Sequence, residues 1–246
     1  MISKPKNLKV VTLQLALKLT YQENLDLLIK HIIKHQDKDL LIAPEVCLTG
    51  FDYKNMHEAS KFSHQAIQIL KHKIHTQILI LTIITKKENC FYNQALVIHE
   101  HKIIHTQEKV KLFTLGQEQK YFKAGHIKKI QKFEINGVSY AILICFELRF
   151  KELWQQIEGA DIILIPSRWG KPRKNHLEIL SNALAIMNQC FVILSNASDT
   201  DMASSSAILS PFGNITKDDR QTNIESRIDL QEIRKMRRYI SLDTKD

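Results

Sequence analysis

Short apolar runs of strand length alternate with amphipathic stretches of helical period along the whole chain. That order builds a layered α/β domain. LKVVTLQLAL (8–17) reads as a first strand, and residues 20–35 as a helix, because Leu25, Leu28, Ile29 and Ile32 recur on one face. LLIAP (40–44) reads as a buried strand and residues 58–75 as a second helix. ILILTII (78–84), NQALVIH and KIIHTQEK follow as strands, the last two joined by a hairpin around Glu100 and His101. Asn136-Gly137, a pair that accepts positive φ, separates KIQKFEI from VSYAILIC and predicts a second hairpin. Beyond it, ELWQQIEGA reads as helix, DIILIP as strand, and residues 175–189 as a helix with Leu177, Leu180, Leu184 and Met187 on a stripe. CFVILSNAS and SSSAILS read as strands, the stretch to Tyr239 as mixed strand and helix, and SLDTKD (241–246) as a polar tail.

A chain of 246 residues, 44% of them hydrophobic, can bury one large core. No glycine- or proline-rich linker divides it, so residues 1–240 are expected to form one domain. No apolar run approaches the ~20 residues that span a bilayer, and the polar interruptions at Thr12, Gln14 and Lys18 make the amino-terminal stretch a strand, not a signal peptide. Cys47, Cys90, Cys145 and Cys190 stand far apart without a CxxC pair, which fits a reducing, cytoplasmic compartment and disfavours a zinc cluster. The net charge of +9 is spread over the whole chain, without an arginine-rich arm. It reads as solvated surface, so neither nucleic acid nor a membrane is expected as partner. With seven glycines, the chain has neither GxGxxG nor GxxxxGK, and the run Ser204 to Ser206 has no GxSxG elbow. His31 and His35, four apart on the first helix, and His72 and His75 have no third ligand nearby and read as solvated basic faces. Cys47 and Cys190 read as packed core thiols.

Three polar residues interrupt or directly follow apolar strands, where burial is costly. Glu45 follows LLIAP, Lys109 follows KIIHTQE, and Cys145 follows AILI. In α/β architectures ligands gather at the carboxyl ends of strands, so the three can converge on one pocket. As a set their chemistry is coherent. A carboxylate that takes the thiol proton makes a potent nucleophile, and an ammonium beside it stabilises the oxyanion formed when the thiolate attacks an amide carbon. The backbone N–H of Phe146, next after the nucleophile, is the natural second oxyanion donor.

PEVCLTGF (44–51), EKVKLFTLGQEQKYFKAG (108–125) and LICFELRF (143–150) resemble, in order and spacing, the three signature segments of the carbon–nitrogen hydrolase (nitrilase-like) family. The likeness extends through GADIILIPSRW, HLEILSNALAIMNQCFVILSNAS and SSAILSPFGNI, nearly the whole chain. It implies a four-layer αββα sandwich that commonly pairs into a homodimer. It also implies Glu45 as base, Lys109 as the lysine of the triad, Cys145 as nucleophile and, from the pattern ExxxFxxG, Glu118 as a supporting carboxylate. Lys111 stands where the family usually has a histidine. Lys151 and Glu152 replace a usual Pro-Glu, and Leu184 and Met187 stand where arginine and glutamate are favoured. No cofactor or metal is called for by this chemistry.

Within that family CFELRF resembles the segment of small omega-amidases, which implies hydrolysis of a dicarboxylate monoamide such as 2-oxoglutaramate. An N-carbamoyl amino-acid hydrolase is the second reading, nitrile hydrolysis the third, and a non-catalytic binding protein on the same fold the reading from another class. An anionic substrate needs a cation or hydrogen-bond donors, for which Arg149 is the first candidate and Tyr53 and Arg168 are further ones; Arg149 serves equally well as a structural bridge to Glu147 or to a loop.

Overall fold

In the computed structural model, which describes residues 5–242, two six-stranded sheets are stacked between two layers of helices. The strands are β1 (Asn7–Leu13), β2 (Leu40–Ile42), β3 (Ile78–Lys87), β4 (Cys90–His99), β5 (Lys102–Glu108), β6 (Phe133–Ile135), β7 (Val138–Ile142), β8 (Ile162–Ser167), β9 (Phe191–Asn196), β10 (Ala207–Leu209), β11 (Ile215–Lys217) and β12 (Asn223–Asp229). The helices are α1 (Tyr21–Lys34), α2 (Met56–Lys73), α3 (Lys151–Gln156), α4 (Lys174–Met187) and α5 (Gln231–Tyr239). One sheet runs β12-β1-β2-β3-β4-β5 and the other β11-β10-β9-β8-β7-β6. Four of the polar tail's expected residues, 243–246, lie outside the described part.

The period of two within each strand sorts side chains between two cores. Val10, Leu40, Ile42 and Ile80 face the other sheet, where Tyr140, Ile142, Ile162 and Leu164 meet them. Val11, Leu13, Leu41, Leu79 and Leu81 face outward and are covered by Leu25, Leu28 and Ile32 of α1 and by Ala66, Ile67 and Leu70 of α2. Leu153 of α3 and Leu177 and Leu184 of α4 cover the second sheet. The sheets are also hydrogen-bonded to each other: Thr12 Oγ1 donates to the Leu194 carbonyl at 2.7 Å, and Ser195 Oγ to the Leu13 carbonyl at 2.6 Å.

Both predicted hairpins form, and Glu100, His101, Asn136 and Gly137 all take positive φ. Helix α1 is closed at its start by a capping box, with Thr20 accepting from the Glu23 N–H while Glu23 accepts from that of Thr20. Several expectations are corrected. The first strand ends at Leu13: after one more bond in the β12 register, from the Gln14 N–H to the Thr222 carbonyl, the chain bends towards Asp199, which accepts the Leu17 N–H. The second helix begins two residues early, at Met56. Ser204 and Ser205 are not strand but left-handed turn residues, with φ of 55° and 63°. On α4 the stripe is narrower than expected: Leu177 and Leu184 are buried, whereas Met187 is 63% exposed. His31 and His35 are not solvated. They share the buried stripe of α1 with Leu28, at helical spacing, and stack with ring centroids 5.9 Å apart against Glu225 and Gln77.

Candidate active site

Four loops at one end of the sandwich deliver the polar residues. Glu45 lies beyond β2, Lys109 ends β5, Glu118 lies in the turns that follow, and Cys145 opens a short 3₁₀ helix (Cys145–Arg149) after β7. Lys109 Nζ donates to Glu45 Oε1 and to Glu118 Oε1, each at 2.8 Å. Asn93 Nδ2, from β4, donates to the same Glu45 oxygen at 2.8 Å, and Glu118 Oε2 accepts the Phe113 N–H at 3.0 Å. The remaining oxygen, Glu45 Oε2, is buried and makes no hydrogen bond among the described residues. That leaves it free to accept a proton.

Glu45 is fully buried and Lys109 1% exposed, but Cys145 keeps 8% of its surface and lines a cavity. Of these three residues, Cys145 is the one that lines the cavity. The cavity is also lined by Phe113, Phe146, Arg149, Arg168, Trp169 and Arg173.

Burial opposes the charge of Lys109, yet the carboxylates of Glu45 and Glu118 and the Cys145 sulfur together outweigh it and hold the ammonium above the usual lysine range. Burial also raises Glu118, reinforced by the charge of Glu45 and opposed by Lys109. The Cys145 thiol is pushed well above its ordinary value, first by burial and then by Glu45, with Lys109 and the backbone of Arg168 acting the other way.

The backbone holds these groups in unusual conformations. Cys145 has φ of 52°, and Val46, beside Glu45, has φ of 45°. Left-handed conformations of such residues cost about 1–3 kcal/mol each and persist where surrounding contacts over-determine them. For Val46 those contacts include its N–H on Thr82 Oγ1 at 2.6 Å. For the nucleophile loop they are supplied by Glu147, fully buried, whose Oε2 accepts the Ile144 N–H at 2.7 Å and whose Oε1 accepts the Val110 N–H at 2.6 Å. One carboxylate therefore ties the cysteine loop to the segment just after Lys109. The pattern ExxxFxxG also has a physical reading. Phe122 packs against Val46 and Ile84, and Gly125, whose N–H donates to the Lys109 carbonyl at 2.9 Å, lies so close that a Cβ would sit 2.6 Å from Glu108 Cβ.

Glu45, Lys109, Glu118 and Cys145 are thus brought together, and Phe146, Arg149 and Arg168 line the same cavity. Tyr53 is not among the lining residues. It stacks on Tyr121 with ring centroids 4.1 Å apart and donates from its hydroxyl to the Gly116 carbonyl at 3.3 Å. Arg149 does not bridge to Glu147; it shares a 2.8 Å hydrogen bond with His176 Nδ1 and lies over the Trp169 ring. Arg168 is neutralised by Asp199 at 2.6 Å. Lys111 pairs with Glu152 at the surface. Cys47 and Cys190 are packed in the cores. The sequence reading missed Asn93, whose signal was an amide inside an apolar strand, and Arg173, which sits in a run of cations between β8 and α4.

The comparisons agree with this architecture. A 2-oxoglutaramate amidase of Bacillus subtilis strain 168 is 31% identical over 217 residues, covering 82% of each chain. The omega-amidase YafV of Escherichia coli strain K12 is 25% identical over 211 residues, covering 81% of each. The crystal structure of a nitrilase-superfamily protein of Saccharomyces cerevisiae superposes with a TM-score of 0.86 at 22% identity, over 100% of this chain and 99% of that one. The sequence profile of the carbon-nitrogen hydrolases matches residues 9–238, so the chain, with a buried Glu-Lys pair behind a cavity-facing cysteine, belongs to the carbon-nitrogen hydrolase family.

Proposed function

We propose that this protein is a cysteine-dependent amidase acting on a short monoamide of a dicarboxylic acid, such as 2-oxoglutaramate. The observation that carries the reading is the pairing of Glu45 and Lys109 behind the cavity-lining thiol of Cys145. In the first half-reaction Glu45 Oε2 takes the Cys145 proton and the thiolate attacks the amide carbon. The oxyanion is held by Lys109 and the Phe146 N–H. Glu45 returns the proton to the departing nitrogen, and ammonia leaves behind a thioester. Glu45 then deprotonates a water, which attacks the thioester, and the acid departs as the thiol is restored. The proton moves within a buried site of constant net charge, so neither half-reaction needs a new charge to be buried. The names of the relatives from Bacillus subtilis and Escherichia coli support the amide substrate.

The nucleophile must stay a free thiol, which suits a reducing compartment such as the cytoplasm. Ile179 and Met187 on the outer face of α4, 66% and 63% exposed, lie on the helix layer through which a second copy would pack as a homodimer. Ammonia release from 2-oxoglutaramate, succinamate, glutamine and N-carbamoyl-β-alanine, measured for wild type and Cys145→Ala, tests the function. Release that vanishes in the variant, with an unchanged fold by circular dichroism, is the expected outcome. Equal turnover by both proteins would remove Cys145 from the mechanism, and preference for the carbamoyl compound would replace the substrate class.

A further inference from the structure

The cavity beside Cys145 carries more positive charge than the reaction at the thiol uses. Three of its lining residues are arginines and none is a carboxylate. Their obligations differ. The Arg168 guanidinium is committed to Asp199 at 2.6 Å. Arg149 lies over the Trp169 ring, 4.7 Å from its centroid, and its only hydrogen-bond partner among the described residues is His176 Nδ1. A guanidinium has no acceptor, so that ring nitrogen carries the lone pair and compensates no charge.

Arg173 is the least committed. Its guanidinium lies over the Phe113 ring, 5.0 Å from the centroid, and makes neither an ion pair nor a side-chain hydrogen bond among the described residues. Stacking fixes its plane and leaves its edges, with their fork of N–H donors, available. It ends the 3₁₀ turn Lys171–Arg173 that leads directly into α4, so its backbone is anchored at both sides. A bound carboxylate supplies the counter-charge and the acceptor that the Arg173 guanidinium lacks among the described residues.

We propose that Arg173 is a specificity-determining residue that binds the carboxylate at the far end of the amide substrate, with Arg149 as the second positive group. The inference rests on the reading of Cys145 as the nucleophile of an amidase and adds the residue that selects anionic over neutral amides.

The test compares amides matched in length, succinamate with butyramide and glutaramate with valeramide, in wild type, Arg173→Met, Arg173→Lys and Cys145→Ala. In wild type the carboxylate-bearing member of at least one pair should have the higher kcat/KM. Arg173→Met should lower that preference about ten- to a hundredfold, mainly through KM, as expected for a lost bidentate ion pair. Arg173→Lys should restore part of it, because charge returns without the planar fork. Alkylation of Cys145 by iodoacetamide, an uncharged probe, reports whether the variant site is assembled. A variant that scales both members of a pair by one factor overturns the assignment, and so does a wild type that prefers the neutral amides; both leave Cys145-dependent amidase activity standing. Absence of Cys145-dependent release from every amide overturns the amidase reading and this inference with it.

Discussion

Replacing Glu118 by glutamine keeps the shape of the side chain and removes its charge, and the structure defines what is lost. Both carboxylate oxygens are occupied, Oε1 by Lys109 Nζ at 2.8 Å and Oε2 by the Phe113 N–H at 3.0 Å. The glutamine oxygen can serve only one of these donors, and its NH₂ must then oppose the other. If the oxygen stays on Lys109, the Phe113 N–H is orphaned and the Lys109 bond loses its charge assistance. A hydrogen bond to a charged group contributes about 1.5–3 kcal/mol. With Lys109 in the proposed role of holding the oxyanion, most of that loss should fall on the transition state, a decrease in kcat of about 10- to 150-fold. The fold should survive, since Lys109 retains Glu45 at 2.8 Å. The pH profile supplies a second readout. Burial raises the Glu118 carboxyl, so in wild type it takes up a proton at a higher pH than an exposed glutamate, and kcat should fall there as pH decreases. The glutamine variant has no such group and should lack that contribution to the acid limb. Initial rates of ammonia release across pH, with a thermal-unfolding control, measure both. A variant with kcat within twofold of wild type and an unchanged acid limb would refute the supporting role of Glu118.

Two buried groups should give stability opposite pH slopes. Glu147 is pushed up to about 7 by burial, so its contribution is complete below about 4.5 and is lost as pH rises through 7; His31 is pushed down to about 4, so its contribution is complete above about 6.5 and is lost as pH falls through 4. Each shift corresponds to about 3 kcal/mol, and denaturant unfolding should show the Glu147→Gln slope turning more positive with pH, and the His31→Leu slope more negative, relative to wild type. Glu147→Gln should also lose about 1–3 kcal/mol near pH 5, because one of the Ile144 and Val110 N–H groups then faces an NH₂. Gly125→Ala should destabilise by about 1–3 kcal/mol and lower kcat together, because its Cβ would press on Glu108 beside Lys109; an alanine variant with wild-type melting and rate would show that the contact relaxes freely.

Much of the architecture was legible from periodicity alone. The continuous apolar runs at 78–84 and 162–166, of strand length, and the 3.6-residue stripes of α1 and α4 have local causes, and Asn136-Gly137 favours a turn. The separated segments around Glu45, Lys109 and Cys145 were equally visible, because polar residues at the ends of apolar strands stand out against their surroundings. What periodicity could not decide is which polar residue meets which. Asn93 and Glu147 look like ordinary strand and loop residues until the sheets are stacked. Only then do 48 residues of separation become a 2.8 Å bond from Asn93 to Glu45, and 37 become a 2.6 Å bond from Val110 to Glu147. His31 and His35 were misread for the same reason. A histidine on a helix face is solvated or buried according to what lies over that face, and here it is β12, with Glu225, that arrives from the far end of the chain. The three arginines of the cavity make the point for function. Sequence sets their charge, but whether each is neutralised by Asp199, turned to His176 or left free over Phe113 depends on long-range packing.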